Sequence, residues 1–456
     1  MSKISIDYTF VLKEIIGEKG LTIDDINKYE ESINNSIDNI MEMHKKGELS
    51  FLNLPSDTSP LEEVEDFVKT LNIEYENIII TGIGGSSLGV QAIYQSLLSY
   101  YHNINNKPRF FFLENVDPEI IAEFYDNIDL KKSIAVIITK SGSTAETMAQ
   151  FMILKDKMEK SGAAELSKRI ILITDPEKGD LLKIGKKEGY KIFHIPQNVG
   201  GRFSILTPIG LLSAELLGIS SRKILEGAKG IIDRVSKKDI FKNPAALSAI
   251  ILLEFYKRGR NIFVLFPYSS KLYLAADWFR QLWAESLGKR ENLKGEIINW
   301  GQTPVKSLGV VDQHSQVQLY IEGPDDKVIG FMEVENKNRD IEIPEILKEF
   351  SATSYLGGHK ISELIDSEKK GTEFALAKNG KPSFTYLFKD ISPESIGEFF
   401  LLMEMQTAIA GEILGINTYN QPGVELGKKL TYGFLKREGY DLSLIENLQK
   451  LERKKV

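Results

Sequence analysis

Short apolar runs alternate with segments of helical periodicity along this chain, and the alternation constrains the fold more than any other feature. Each run is followed by turn residues, as strands are. The runs that we predict to be strands are 78–80, 109–113, 134–138, 170–173 and 261–266. Strands that alternate with helices are typical of parallel sheets with helices on both faces, so we predict an α/β protein with parallel-rich sheets.

The length of the chain favours two domains rather than one. It has 456 residues, and single cores stop growing well below that size. Residues 1–50 carry apolar side chains at helical spacing, which predicts a helical N-terminal arm. We place the first α/β domain at 51–225, and the second domain, with the C-terminal helices, at 226–456.

Composition narrows the classes of function. The net charge is −7 at pH 7, which gives no general attraction to nucleic acid or to an anionic membrane, so a phosphate site must be local. The chain has no cysteine, which excludes disulfides, thiolate zinc sites and thiol nucleophiles. The N-terminus lacks the apolar core of a secretory signal, and no apolar run is long enough to span a bilayer. We therefore expect a cytoplasmic protein without nucleic-acid or membrane partners.

A hydroxyl-rich loop follows the predicted strand 134–138 and precedes a helical run. Residues 139–147 read TKSGSTAET, so hydroxyls, a lysine and the free N–H groups of a helix start converge in a small volume. A helix N-terminus offers unpaired donors and the positive end of a dipole, which suits a phosphate dianion. The alternative is an ordinary helix cap, which needs only one of these hydroxyls.

A glycine-rich loop, GIGGSSLG at residues 82–89, follows the predicted strand 78–80. Gly82 and Gly84 have the spacing of a dinucleotide fingerprint, but Ser87 stands at its third position, so that match is only partial. The loop can cradle an anion through its backbone, and a plain strand-to-helix turn explains the glycines equally well. Both loops follow strands of a predicted parallel sheet, at the edge where such sheets bind ligands.

Two charged residues in the middle of the chain are candidates for a catalytic role. Arg202 follows two glycines, so its guanidinium can be held near a developing oxyanion. Glu285 lies four residues after Gln281 at the edge of the apolar stripe of a predicted helix, 271–287, and is a candidate general base. The alternatives are a surface arginine in a turn and a solvated glutamate paired with Lys289.

Two further candidates have weaker sequence signals. His314 follows Asp312, a carboxylate that could orient the ring, although a structural histidine is the common case. Lys428 follows the turn QPG at 421–423 and can donate to a substrate oxygen, although most lysines are simply solvated.

In combination, these segments closely resemble the glucose-6-phosphate isomerase (phosphoglucose isomerase) family. The most specific runs are NVGGRFSILTPIG at 198–210 and QPGVELGKK at 421–429, followed by TKSGSTAET at 139–147. The resemblance covers roughly residues 50–435, and the length is similar to that of the shorter, bacterial-type form.

The resemblance implies two αβα sandwich domains of the sugar-isomerase type and a homodimer as the active unit. It implies reversible aldose–ketose isomerisation of glucose 6-phosphate and fructose 6-phosphate in glycolysis and gluconeogenesis. It implies neither a metal ion nor a cofactor. It also implies that His314 reaches the active site of the partner subunit.

The resemblance also assigns a role to individual residues. Glu285 would move the proton between C2 and C1, and Arg202 would stabilise the cis-enediolate. His314 and Lys428 would assist opening and closing of the sugar ring. The remaining residues would bind the sugar and its 6-phosphate: Gly85, Ser86, Thr139, Lys140, Ser141, Thr144, Gln281 and Gln421.

Other functions compete with this interpretation. A sugar-phosphate sensor would need the phosphate loop but not Glu285, Arg202 and Lys428 together, and no basic helix-turn-helix stretch is apparent. A dinucleotide-dependent enzyme is disfavoured by Ser87 and by the additional hydroxyl loop. An isomerase that also acts on mannose 6-phosphate is a further alternative, because C2 epimers present the same phosphate and carbonyl.

Overall fold

The computed structural model describes residues 2–440 and residue 454, and two five-stranded sheets form its framework. A two-stranded antiparallel hairpin stands apart from them. The strands are β1 (Ile4–Asp7), β2 (Asn77–Thr81), β3 (Arg109–Leu113), β4 (Ser133–Ile138), β5 (Ile170–Thr174), β6 (Lys191–His194), β7 (Ile262–Pro267), β8 (Lys289–Glu291), β9 (Ile297–Trp300), β10 (Thr303–Lys306), β11 (Lys327–Val334) and β12 (Ser383–Phe388).

Helices connect most of these strands, and 3₁₀ turns supplement them. The helices are α1 (Lys13–Ile16), α2 (Ile23–Asn27), α3 (Glu30–Lys45), α4 (Ser59–Thr70), α5 (Leu88–Leu97), α6 (His102–Asn105), α7 (Pro118–Asn127), α8 (Ala145–Ser161), α9 (Leu166–Arg169), α10 (Asp180–Glu188), α11 (Pro208–Leu216), α12 (Ser221–Val235), α13 (Pro244–Lys257), α14 (Tyr273–Leu287), α15 (Val317–Glu322), α16 (Ser351–Ser354), α17 (Ile361–Lys378), α18 (Pro393–Leu414) and α19 (Glu425–Phe434). Among the described residues, no helix has the length and apolar character needed to cross a membrane.

The first sheet has the order β3-β2-β4-β5-β6, and all of its strands are parallel. Strands β2, β4 and β5 are buried along their whole length, which explains why they are continuous apolar runs in the sequence. The chain leaves β2 toward β3 on one side and returns to β4 on the other. This reversal creates a crevice at the carboxyl ends of β2 and β4, where open α/β sheets bind ligands.

The second sheet has the order β1-β12-β11-β7-β10, and only β1 runs antiparallel to its neighbour. Its parallel strands repeat the winding of the first sheet, because β10 lies on one side of β7 and β11 on the other. The predicted α/β class with parallel-rich sheets is therefore confirmed.

The N-terminal region is mainly helical, with one addition to the predicted arm. Ile4–Asp7 forms β1, an edge strand of the second sheet, and Ile4 is paired with Phe388. This strand pairs with a segment far away in the sequence, so helical spacing within residues 1–50 did not reveal it. The segment 441–453, which falls in the predicted C-terminal helical region, lies outside the described residues.

One continuous apolar core spans both sheets. It includes Ile78 and Ile134 from the first sheet and Phe263 and Met332 from the second. Helix α14 begins soon after β7 of the second sheet and packs against α5, the helix that follows β2 of the first. The end of α14 therefore lies beside the crevice of the first sheet.

Candidate active site

Three hydroxyl side chains gather in the loop between β4 and α8. The Oγ1 atoms of Thr139 and Thr144 share a hydrogen bond of 2.8 Å. The Oγ of Ser141 lies 3.3 Å from each of them. Gly142 occupies the left-handed region with φ of 65°, where glycine is favoured, and this lets the loop turn back on itself. The sequence therefore concentrates three hydroxyls where β4 ends.

The N-terminus of α8 has no side-chain cap. Thr144 is its N-cap residue, yet its hydroxyl bonds to the other hydroxyls of the loop and not to a backbone N–H of the helix. The ordinary-cap alternative is therefore not what the structure contains. The first N–H groups of the helix, together with its positive dipole end, face the hydroxyl cluster and suit an anion.

Lys140 connects this loop to the next part of the site. Its Nζ donates to the carbonyl oxygens of Gln197 and Val199, at 2.9 and 2.6 Å. Burial lowers the pKa of Lys140, and nearby Asp175 acts in the opposite direction. A half-buried ammonium that is bonded to neutral carbonyls gains from an added negative charge, because an ion pair offsets its desolvation.

Arg202 is buried and fully engaged. Its side chain is 5% exposed, and its guanidinium donates to Ser286 Oγ at 3.0 Å, Gln421 Oε1 at 2.9 Å and the carbonyl oxygen of Thr418 at 3.1 Å. A fourth bond, of 3.1 Å, goes to Glu285 Oε2. Burial lowers the pKa of Arg202, and the Glu285 carboxylate opposes that change. Residues of α14 and of the segment before α19 therefore fix the cation in one orientation, and the surface-arginine alternative is wrong.

Glu285 presents its carboxylate from the last turn of α14. Its side chain is 36% exposed, and Gln281 Nε2 donates to its Oε1 at 3.3 Å, as the four-residue spacing predicts. Lys289 does not pair with the carboxylate. It donates instead to the backbone carbonyl oxygens of Glu285 and Ser286, and burial lowers its pKa to about 8, with Arg202 adding to the effect.

The glycine-rich loop packs directly against these residues. A Cβ atom on Gly85 would lie 2.2 Å from the carbonyl oxygen of Gly201, and a Cβ on Gly84 would lie 2.8 Å from Gln281 Nε2. At Gly85 the contact is with backbone, so only glycine permits it, and Gly84 has a φ of 61°, where glycine is favoured. Ser86, half-buried, belongs to the same 3₁₀ turn, Gly84–Ser86. The loop therefore packs against both α14 and the arginine turn.

His314 and Lys428 lie elsewhere. His314 is exposed at the end of the 3₁₀ turn Val311–His314, and Lys428 is exposed on α19, where it pairs with Glu425 at 2.8 Å. Neither makes a hydrogen bond to Arg202 or Glu285 in the described part of the chain. Asp312 does not orient the imidazole, because its two oxygens accept from Leu308 N and Ser315 Oγ.

Sequence reasoning missed some supporting residues. Ser286 and Thr418 hold the guanidinium, and Lys289 holds the end of α14. Asn198 fastens the arginine turn to the N-terminal arm, because its Nδ2 donates to the Gly47 carbonyl and to Ser50 Oγ. The adjacency of Ser286 to Glu285 was a usable signal, whereas the contacts of Thr418 and Asn198 bridge segments that are remote in the sequence.

Comparisons with known proteins identify the family of the chain. The family model described as phosphoglucose isomerase matches residues 66–441. The chain belongs to this family. A curated glucose-6-phosphate isomerase from Carboxydothermus hydrogenoformans is 41% identical over 446 residues, which cover 96% of each chain. The family interpretation of the sequence motifs is therefore confirmed.

Solved structures of this family's fold are also similar. A hypothetical protein from Thermus thermophilus matches with a TM-score of 0.85 and 32% identity, over 95% of this chain and 99% of that one. A glucose-6-phosphate isomerase from Chlamydia trachomatis matches with a TM-score of 0.74 and 23% identity, over 87% of this chain and 77% of that one. At that lower identity, the second match supports the fold alone.

Proposed function

We propose that this phosphoglucose isomerase family member interconverts glucose 6-phosphate and fructose 6-phosphate. One observation carries the proposal: a buried arginine is held 3.1 Å from a half-exposed carboxylate, Glu285, beside an uncapped helix start lined by hydroxyls. A carboxylate base, a cation and a phosphate site are what isomerisation of a phosphorylated aldose requires.

The phosphate group binds first to the loop between β4 and α8. The hydroxyls of Thr139, Ser141 and Thr144 donate to its oxygens, as do the first N–H groups of α8, and Lys140 and Ser86 complete the site. This contact is remote from the reacting carbons. Its binding energy therefore orients the open-chain sugar, with Gly85 and Gln421 shaping the pocket that holds C1 and C2.

Proton transfer then takes place at Glu285. The carboxylate removes the proton from C2 of the aldose, the C2–H electron pair forms the C1–C2 double bond, and the carbonyl oxygen O1 becomes negative. The Arg202 guanidinium stabilises that oxygen in the cis-enediolate. Return of the proton to C1, with a proton moving from O2 to O1, gives the ketose. No atom is gained or lost.

Ring opening needs a second acid–base group, and we assign it to His314 with Lys428. Both side chains are exposed and separate from Glu285 within the chain. A homodimer would bring His314 of one subunit to the Glu285 of the other. Large apolar side chains that are exposed on the chain, including Ile341, Phe350 and Tyr355, leave surface for such an interface.

The direct test of the reaction is a coupled assay. Purified protein receives fructose 6-phosphate with a chelator present, and the glucose 6-phosphate formed is oxidised by its NADP-linked dehydrogenase. We expect rapid turnover. Tight binding of the sugar phosphate without turnover would instead support the sensor, which the relatives named as isomerases do not favour. Mannose 6-phosphate as a second substrate measures the breadth of specificity.

The shared site is tested by complementation. We expect Glu285→Gln to be inactive and His314→Asn to keep only a small, measurable residual activity, and we expect the two co-expressed chains to recover about a quarter of wild-type activity. Random pairing makes half of the dimers mixed, and each mixed dimer has one intact site. Activity that stays at the level of the single variants would place both residues in one subunit's site.

The cytoplasmic location expected from the sequence also stays a prediction.

A further inference from the structure

The turn that carries His314 is fastened to the second domain by the residue before it. Gln313 Nε2 lies 2.7 Å from Tyr268 Oη and 2.9 Å from the carbonyl oxygen of Glu368, and it also bonds to Thr372 Oγ1. Tyr268 and Thr372 are 5% and 8% exposed. The amide has two hydrogens and three oxygens around it, so its donors are fully used inside the protein.

The chain just before this turn also packs against the ring of Tyr268. A Cβ atom on Gly309 would lie 2.5 Å from the ring of Tyr268, so the backbone rests directly on that ring. The backbone N–H of Gly309 also donates to the carbonyl oxygen of Pro267 at 2.9 Å. Tyr268 therefore supports the turn twice, through its ring and through the hydroxyl that Gln313 contacts.

The imidazole itself has no such support. His314 is exposed, and its ring makes no hydrogen bond in the described part of the chain. Asp312 does not bond to the ring, because its two carboxylate oxygens accept from Leu308 N and Ser315 Oγ. The direction in which the ring points is consequently set by the backbone of the turn. Asp312 closes this backbone on itself, and Gln313 bonds it to Tyr268, Thr372 and the carbonyl oxygen of Glu368.

We propose that Gln313 is a positioning residue, which holds the turn Val311–His314 on Tyr268 and Thr372 so that His314 projects toward the substrate. This inference rests on the proposed role of His314 in ring opening. A reacting group that is misplaced by an ångström loses about 10²-fold in rate, because proximity effects depend steeply on geometry. Gln313 acts only through the histidine and touches no substrate.

The experiment is a cycle of variants measured by steady-state kinetics. Gln313→Met keeps the length of the side chain but removes its donors, and we expect kcat to fall about 10- to 100-fold with KM little changed. In a His314→Asn background the same change should cost nothing further, because the group that it positions is gone. Gln318→Met is the matched control: Gln318 is exposed on α15, bonds only to Glu322, and should leave kcat unchanged.

A merely structural role would give a different pattern. In that case the losses of Gln313→Met and His314→Asn would multiply, and a multiplicative result overturns the proposal, as does a fully active Gln313→Met. If His314→Asn alone retains full activity while Glu285→Gln does not, the role of the histidine is wrong and the isomerase function stands. If the wild-type protein showed no turnover in the coupled assay, the proposed isomerase function itself would be wrong.

A second variant keeps the test valid if Gln313→Met fails to fold. Thr372→Val removes one acceptor from the opposite side of the contact and leaves the turn's own sequence intact. We expect a smaller loss in kcat, about fivefold for one hydrogen bond, that likewise vanishes in the His314→Asn background. A Thr372→Val loss that persists there overturns the proposal.

Discussion

The two sheets share one winding but use their crevices in opposite ways. At the carboxyl ends of β2 and β4, the loops are rich in glycine and hydroxyl residues, and the start of α8 has no side-chain cap. At the corresponding ends of β7 and β11, the aromatic rings of Tyr268, Phe266 and Phe331 pack on one another and fill the space. One crevice is a candidate binding site and the other is a core.

The two crevices also differ in whether their buried lysine is paired with a carboxylate. In the first crevice, Lys140 is bonded only to carbonyl oxygens and has no carboxylate partner within hydrogen-bond distance in the described part of the chain. At the second, Lys369 is 4% exposed and lies 2.8 Å from both Glu333 and Glu373. A cation that is already neutralised has little to offer an anionic ligand. The order of the strands therefore determines where a crevice forms, and its side chains determine whether it can bind an anionic ligand.

The filled crevice still contributes to the open one. Helix α14 starts beyond β7 of the second sheet, and its last turn brings Glu285 to the arginine turn. The turn that carries His314 is bonded to Tyr268, which follows the same strand. Elements attached to the second sheet thus carry two of the proposed reactive groups.

The largest expected effect tests the open crevice. Glu285→Gln keeps the shape of the side chain and removes its basicity, so we expect kcat to fall roughly 10³-fold or more, while sugar-phosphate binding persists. Coupled assay and calorimetric titration measure the two quantities. Glu291→Gln, an exposed change just beyond α14, is the control and should be silent. Substantial activity in Glu285→Gln would remove Glu285 from the role of base.

A smaller effect is expected at the phosphate loop. Lys140→Ala removes a charge-assisted contact, so we expect KM to rise at least about tenfold, with kcat less affected. The exposed Lys178, which lies near the same loop, provides the control variant Lys178→Ala. An unchanged KM in Lys140→Ala would mean that the lysine only ties the loop to residues 197 and 199.

The smallest effect on activity is expected at the filled crevice. Lys369→Met leaves two carboxylates without their buried cation, which should lower the free energy of unfolding by about 3 kcal/mol. Activity per folded molecule should remain, because the lysine serves the fold. Denaturant unfolding measures the loss, and the exposed neighbour Lys370 supplies the control Lys370→Met. If Lys369→Met lost activity but kept its stability, the conclusion that the second crevice serves only the fold would be wrong.

Local patterns predicted much of the first sheet. Strands β2, β4 and β5 are buried apolar runs and β3 is a partly buried one, and each is visible without knowledge of its partners. Strand β1 was missed because four residues become a strand only through pairing with β12. Strand β6 and the later strands β8, β9, β10, β11 and β12 were also not predicted.

The same reasoning applies to the candidate site. The hydroxyl loop and the pair of Gln281 and Glu285 depend on spacing within one segment, and sequence alone found them. The partners of Arg202 come from α14 and from the segment before α19, more than 80 positions away. Only folding brings such groups together. Asp312 was wrongly predicted to orient the ring of His314. The two residues are close in the sequence, but the oxygens of Asp312 accept from Leu308 N and Ser315 Oγ instead.

Gly85 shows how a residue without chemistry can tolerate no change. Its missing side chain leaves room for the carbonyl oxygen of Gly201, at a distance of 2.2 Å from where a Cβ would stand. Any larger residue would push the arginine turn away from α14 and distort the site. A survey of every substitution along the chain would therefore mark this position as intolerant, beside reactive residues, although Gly85 has no side chain that could react.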